Sequence, residues 1–209
     1  MSDTTARPNA NAALGGRYAI ERKMEEISDQ DLMVRIREGN RHGYRVLFKR
    51  YWPPLVGYSL GIVGAVDDAE DVVQDTFAGV WRHRLRWTSS GSVSAYLYRI
   101  TRNLSLNRRR NAQVERTWKD QRGKEAIQAV PPRTPLEDLN ANSLSRKVDA
   151  AIEALPERRR EIFVLSRYHG LTYREIADAM EISPQTVANQ MGTALVKLRG
   201  ALSHRLEES

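Results

Sequence analysis

Asp68, Glu70, Asp71 and Asp75 place four carboxylates within eight positions in the stretch DAEDVVQDTFAGVW, yet the whole chain carries a net charge of +7. Clustered carboxylates can serve acid–base catalysis, ligate a metal or bind a cationic partner. Catalysis and metal binding find no support nearby: no histidine stands at ligand spacing, and no nucleophile accompanies the acids. Asp71, Gln74, Asp75 and Ala78 recur at i, i+3, i+4 and i+7, so they share one side of a helix. Ala69, Val73, Phe77, Val80 and Trp81 form an apolar stripe on the other. No base occurs between Asp67 and Val80, which leaves the acids without local partners on their own helix. That pattern predicts a solvated face or a surface for a basic protein.

A second constellation has the opposite sign. From Arg102 to Arg116 there are five arginines and one glutamate. Val93, Leu97, Ile100 and Leu104 give this segment a buried edge. Arg99, Asn103, Leu106 and Arg110 lie on an adjacent flank, and Arg102, Ser105 and Arg109 on the far side. Arginine and asparagine, with Tyr96 and Tyr98, suit phosphates, base edges and unstacked bases. A solvated basic face with core tyrosines is the alternative.

The third constellation is near the C-terminus, in LPERRREIFVLSRYHGLTYREIADAMEISPQTVANQMGTALVKLRGAL. Gly170 ends one helix. Thr172 and Glu175 predict a capping box for the next, with Ile176, Ala177 and Met180 facing inward. A tight turn at Glu181 and Ile182 leads to Ser183 as N-cap and Pro184 at the first helical position. Val187, Met191, Ala194, Leu195 and Leu198 form the apolar stripe of the second helix. This is a helix-turn-helix that would present Gln185, Thr186, Asn189, Gln190 and Thr193 to a major groove. Its polar face is amide-rich and holds no base until Lys197.

The elements that position these groups read as helices throughout, and no β-alternating run of useful length occurs. Residues 1–26 are small and polar and read as a disordered leader. Ser28 and Asp31 predict a cap opening a helix through Arg37, with Gly39 and Asn40 ending it. Residues 41–63 are apolar-rich, and Pro53 and Pro54 are expected to break or kink them. The acidic helix is expected from Asp67 to Arg86. The loop WTSSGS and then an N-cap at Ser92 lead into the basic helix. Residues 119–144, with three prolines and no period, read as a linker. The fold class is therefore all-α: two small helical domains, 27–118 and 145–206, joined by a flexible linker.

Composition bounds the rest. Lys plus Arg number 33 against 26 acids, and a pI near 9.9 favours polyanionic partners. The absence of cysteine excludes disulfides and thiolate metal sites. No apolar run approaches the ~20 residues that span a bilayer, and the N-terminus lacks a signal-type apolar core, so a cytoplasmic location is expected. His42, His83, His169 and His204 are scattered, and no P-loop sequence appears. An enzyme, a protein-interaction adaptor and a stand-alone helix-turn-helix regulator are the rival readings. The last leaves the acidic and basic helices unexplained.

Taken together, the three stretches resemble the extracytoplasmic-function (ECF) group of sigma factors within the sigma-70 family, over about 28–110 and 146–202. DAEDVVQDTFAGVW is similar to the helix that docks on the clamp coiled coil of the RNA polymerase β′ subunit. AYLYRITRNLSLNRRR is similar to the helix that engages the −10 element, and the C-terminal segment to the domain that reads the −35 element and touches the β flap. The resemblance implies a non-enzymatic specificity subunit without cofactor or metal, with core polymerase, promoter DNA and an anti-sigma factor as partners. It implies polymerase contacts at Asp71, Gln74 and Asp75. It also implies −10 contacts at Trp87, Ser89, Ser90, Arg99, Arg102, Asn103, Arg108, Arg109 and Arg110. The −35 set is Arg174, Ser183, Gln185, Thr186, Asn189, Gln190, Thr193 and Lys197. On this reading the acids lack partners within the chain because polymerase supplies them.

Overall fold

A computed structural model describes residues 27–88, 91–121 and 143–206. Every regular element among them is helical: α1 (Asp29–Arg37), α2 (Arg41–Val63), α3 (Val66–Arg82), a 3-10 turn (Arg84–Arg86), α4 (Val93–Gln121), α5 (Ser143–Glu153), α6 (Glu157–Arg167), α7 (Tyr173–Met180) and α8 (Pro184–Leu206). The leader and residues 122–142, which hold most of the expected linker, lie outside the described residues. No described helix is long and apolar enough to cross a membrane.

Local chemistry sets most boundaries. The Ser28 hydroxyl accepts from the Asp31 amide at 3.2 Å and so satisfies one of the free donors at the start of α1. Gly39, at φ 85°, takes the left-handed turn after α1. Asn40 then opens α2, its side chain accepting from the amides of His42 and Gly43 at 3.0 and 2.9 Å. The expected break at Pro53 and Pro54 does not occur: both lie inside continuous α2. Each ring removes one rung of the helical ladder, which leaves the carbonyls four residues earlier, at Lys49 and Arg50, without that donor. Lys49 and Pro53 are exposed, so water reaches this side of the helix. Phe48 stacks on Trp52 at 4.8 Å, and buried Leu55 and Tyr58 hold the next turn to the core.

The first module packs α1 to α4 around Leu32, Met33, Ile36, Leu47, Leu55, Val73, Phe77, Val80 and Leu97. The aromatic edge of this core is tight, with Phe77 4.8 Å from Phe48 and edge-on to Tyr44 at 6.0 Å. Trp81, half-buried, closes it against Tyr44 and carries the Arg84 guanidinium at 4.7 Å from its ring. Helix α3 ends at Arg82 rather than reaching residue 86; the last three residues form the 3-10 turn instead. The second module packs α5 to α8 around Ile162, Leu165, Ile176, Val187, Met191 and Ala194. The two modules are docked against each other, with α4 running along α7.

Candidate functional site

On α3 the division of faces matches the spacing. Asp71, Gln74, Asp75 and Ala78 are exposed, whereas Ala69, Val72, Val73, Thr76, Phe77 and Val80 are buried. The expectation that these acids are unpaired within the chain is overturned for Asp68 and Asp71. Arg108, on α4, donates to Asp68 Oδ1 through Nε at 2.9 Å and Nη2 at 2.6 Å, and to Asp71 Oδ2 at 3.3 Å. The partner lies 37 residues beyond Asp71, so no helical-spacing rule finds it. The pair is solvent-exposed, so water and salt screen it. Gln74 and Asp75 make no hydrogen bond of their own among the described residues.

Helix α4 lies against α3 through a buried polar seam. Thr76 Oγ1 faces Thr101 Oγ1 at 3.2 Å and also donates to the Val72 carbonyl at 2.9 Å, and Ser59 Oγ meets Ser105 Oγ at 2.9 Å. Ser105 is thus fully buried, not on the exposed far side that the helical wheel assigned to it. Tyr98 also belongs to the core, edge-on to Tyr58 at 5.2 Å. Tyr96 and Arg99 instead line a cavity of about 630 Å³ together with His83, Arg86, Trp87 and Asp178. Trp87 is buried and forms one wall. Ser89 and Ser90 lie outside the described residues, while Asn103 is exposed on α4.

Four arginines of α4, Arg102, Arg108, Arg109 and Arg110, are engaged within the chain. Arg102 donates from Nε to Glu161 Oε1 at 2.8 Å and from Nη2 to Oε2 at 3.3 Å, a forked pair reaching from α4 to α6. Burial works against the charge on Arg102, but the Glu161 hydrogen bonds and charge outweigh it and raise its pKa. Tyr58 donates to the same Glu161 Oε1 at 2.6 Å; burial first, then the Glu161 charge, pushes that phenol well above its ordinary value. Arg109 pairs with Glu157, one helical turn before Glu161. Arg110 donates to Asn107 on its own helix at 3.2 Å.

Two more contacts join the modules. Ser92, whose hydroxyl accepts from the Ala95 amide at the start of α4, donates to Glu175 Oε1 at 2.6 Å. The His169 ring lies 5.8 Å from that of Tyr58 and 5.3 Å from that of Tyr98. Burial there lowers its pKa to about 4, so it is neutral at pH 7. Asp178 of α7 contributes to the wall of the cavity beside Arg99. The contacts between the modules link groups 48 to 111 residues apart, from Arg109–Glu157 to Tyr58–His169, and no sequence signal marks them.

The helix-turn-helix forms as its residues dictate. Thr172 and Glu175 make the reciprocal capping box, the Glu175 amide reaching Thr172 Oγ1 at 3.3 Å and the Thr172 amide reaching Glu175 Oε2 at 2.8 Å. Burial would raise the Glu175 pKa, but the hydrogen bonds from Ser92 and Thr172 lower it overall. Glu181 adopts the left-handed conformation at φ 56° in the turn. Ser183 caps α8, accepting from the Thr186 amide at 3.0 Å. Val187, Met191, Ala194 and Leu198 are buried; Leu195 is 37% exposed and leaves the stripe, because it lies to one side of the arc that meets α6 and α7. Gln185 and Asn189 are exposed and joined at 3.0 Å, and Thr193 returns its hydroxyl to the Asn189 carbonyl at 2.9 Å. Arg174 and Lys197 are exposed and Thr186 is half-buried. Gln190 is half-buried, with its carbonyl accepting from Arg159 Nε at 3.1 Å. Among the described residues no group of three or more His, Cys, Asp or Glu could hold a metal ion.

A two-module helical protein with an exposed acidic helix face, an arginine-rich helix and a helix-turn-helix has the form of a transcription initiation factor. Family models agree: "Sigma-70 region 2" matches residues 47–115 and "Sigma-70, region 4" matches 145–198. The RNA polymerase sigma-H factor of Pseudomonas aeruginosa is 27% identical over 196 residues, covering 89% of this chain and all of the relative. The ECF RNA polymerase sigma-E factor of Haemophilus influenzae is 27% identical over 80% of this chain and 91% of its own length. The chain belongs to the sigma-70 family, in its ECF group, and is an RNA polymerase sigma factor. Its fold is shared with CnrH, solved with the cytosolic domain of CnrY (TM-score 0.59, 23% identity, 84% of this chain and 97% of that one). It is also shared with the Bartonella quintana sigma factor RpoE, solved with the anti-sigma factor NepR (TM-score 0.57, 22% identity, 77% and 96%).

Proposed function

We propose that this sigma factor divides its work by charge, docking on core RNA polymerase through Asp71, Gln74 and Asp75 while α4 and α8 engage promoter DNA. The observation that carries this is the exposure of those three residues on a helix whose opposite face is buried in the first core. On this reading 27–118 acts as the polymerase-binding and promoter-melting domain and 145–206 as the −35 reader, with 119–144 as the tether between them. Arg99, Arg102, Asn103, Arg108, Arg109 and Arg110 contact the −10 element. The loop of Trp87, Ser89 and Ser90, with the adjoining cavity, receives a base drawn out of the stack, which must offset a cost of a few kcal/mol. Arg174, Ser183, Gln185, Thr186, Asn189, Gln190, Thr193 and Lys197 form the −35 surface. The factor carries no chemistry of its own and works where polymerase works, in the cytoplasm. An anti-sigma factor, the kind of partner that NepR is to the Bartonella quintana RpoE, is its expected inhibitor.

The docked arrangement explains why such a chain would be quiet alone. Arg102 and Arg109 are engaged by Glu161 and Glu157, and Asp178 stands at the cavity, so part of the −10 surface is occupied by the −35 module. Assembly with polymerase must separate the modules to free the −10 surface. The test is run-off transcription with core polymerase on a promoter library, together with Asp71→Lys/Asp75→Lys. Promoter-specific transcripts from the wild type and loss of core binding in the double variant are expected. Unchanged core binding would refute the docking assignment.

A further inference from the structure

The recognition helix α8 lacks a base before Lys197, yet a duplex reader needs cations near the phosphates. The Arg158–Arg160 run on α6 splits into separate tasks. Arg160 donates from Nη1 to the Glu153 carbonyl at 3.0 Å and so closes the end of α5. Arg159 donates from Nε to Gln190 Oε1 at 3.1 Å, across to α8. At 100° per residue, Arg159 lies on the side of α6 opposite Glu157 and Glu161, the two acids that hold the first module. It therefore stays available whether the modules are docked or apart.

We propose that Arg159 supplies from α6 the phosphate-binding cation that the first turns of α8 lack, with Gln190 as the brace that aims it. Three observations carry this. Among the described residues Arg159 contacts no carboxylate, so its charge is not neutralised there, unlike those of Arg102, Arg108 and Arg109. Its side-chain hydrogen bond uses Nε, leaving Nη1 and Nη2 with no other partner among the described residues, a two-pronged fork suited to a phosphate. The acceptor is an uncharged amide on the flank of the recognition helix, next to Thr186 and Thr193, so the fork is held beside the expected DNA surface. Gln190 accordingly acts as a positioning residue, its carbonyl turned to Arg159 and away from a paired contact with an adenine edge. The inference rests on reading α7 and α8 as the −35 module.

The test measures binding of holoenzyme, assembled from core polymerase and the full chain, to a promoter duplex selected with the wild-type holoenzyme, over a series of salt concentrations. Arg159→Gln is expected to lower the slope of log K against log salt by about one, the share of a single phosphate. Its affinity deficit should shrink about threefold as salt rises fourfold, with base preferences at −35 unchanged. Arg159→Lys should keep the slope but bind more weakly, since an ammonium cannot both brace and fork. Gln190→Leu should weaken binding at low salt with a smaller change of slope. Arg160→Gln should lower thermal stability without moving the slope, which separates folding from contact. An unchanged slope and affinity in Arg159→Gln overturns the proposal, as does a loss confined to one base position. If the wild-type holoenzyme selects no −35 sequence at all, the reading of α7 and α8 falls, and this inference with it.

Discussion

The two modules handle polar groups in opposite ways. In the helix-turn-helix, the partners that shape each element are neighbours in sequence: Thr172 with Glu175, Ser183 with Thr186, Gln185 with Asn189. In the first module the functional charges find partners far away: Asp71 with Arg108, Arg102 with Glu161, Arg109 with Glu157. The difference teaches that local satisfaction builds a surface, whereas distant satisfaction conceals one. On the proposed assignment the −35 face needs nothing removed before it can read DNA, whereas the −10 face must first lose its internal carboxylates.

The strongest challenge to that comparison is Phe77→Ala. Phe77 is fully buried at the centre of the aromatic cluster, so the variant should lose about 3–5 kcal/mol of the first module's stability. Chemical denaturation should then show the helix-turn-helix retaining its helicity while α1–α4 melt. A single unchanged transition would mean that the two modules do not differ in their dependence on this core.

Next in size is Glu161→Gln. It removes the charge that serves both Arg102 and Tyr58, a half-buried pair whose breakage costs on the order of 1–3 kcal/mol. Docking should loosen, and the isolated chain should bind a single-stranded −10 oligonucleotide about tenfold tighter, the equivalent of 1.4 kcal/mol, as read by fluorescence anisotropy. No gain in binding would show that the carboxylate does not conceal the −10 surface.

His169 sharpens the same point through pH. Its ring faces Tyr58 and Tyr98, with Glu161 and Arg102 adjoining through Tyr58, and its pKa is lowered to about 4 in the docked form. A separated module would return it to near 6.5. Between those values the open form binds the proton and the docked form does not, so docking is fully favoured above about 6.5 and weakens as pH falls toward 4. Glu175, lowered by Ser92 and Thr172, loses stabilisation in the same direction on acidification. His169→Phe separates the two: small-angle scattering at pH 7 and pH 5 should show the wild type expanding more than the variant. Equal expansion would assign the effect to the carboxylates.

The smallest effect expected is at the cap. Thr172→Ala should cost about 1 kcal/mol in the second module alone, measured by thermal melting of the full chain. A loss several times larger would mean that Thr172 also supports the docked interface through Glu175.

Much of the fold was legible. Ser28, Gly39, Thr172 and Ser183 mark boundaries because a helix end exposes groups that a nearby side chain or turn can satisfy, whereas Asn40, read as ending α1, instead caps the start of α2. The faces of α3 were legible because burial follows helical period. The continuous α2 was not, since the two prolines act against the helix locally while Phe48, Leu55 and Tyr58 support it through the core. Ser105 and Leu195 were misplaced because a wheel gives directions around one helix but not which arc meets a neighbour.

The sequence by itself determined the helical class, the two modules, the helix-turn-helix with its caps and the opposite charges of α3 and α4, because these depend on interactions spanning one or two turns. Only the tertiary structure decided which charges are already answered within the chain. Arg108 meets Asp71, Glu161 takes both Tyr58 and Arg102, and Arg159 turns to Gln190. Charge pairing acts through space over a few ångströms, and residues dozens of positions apart come that close only after the core has packed.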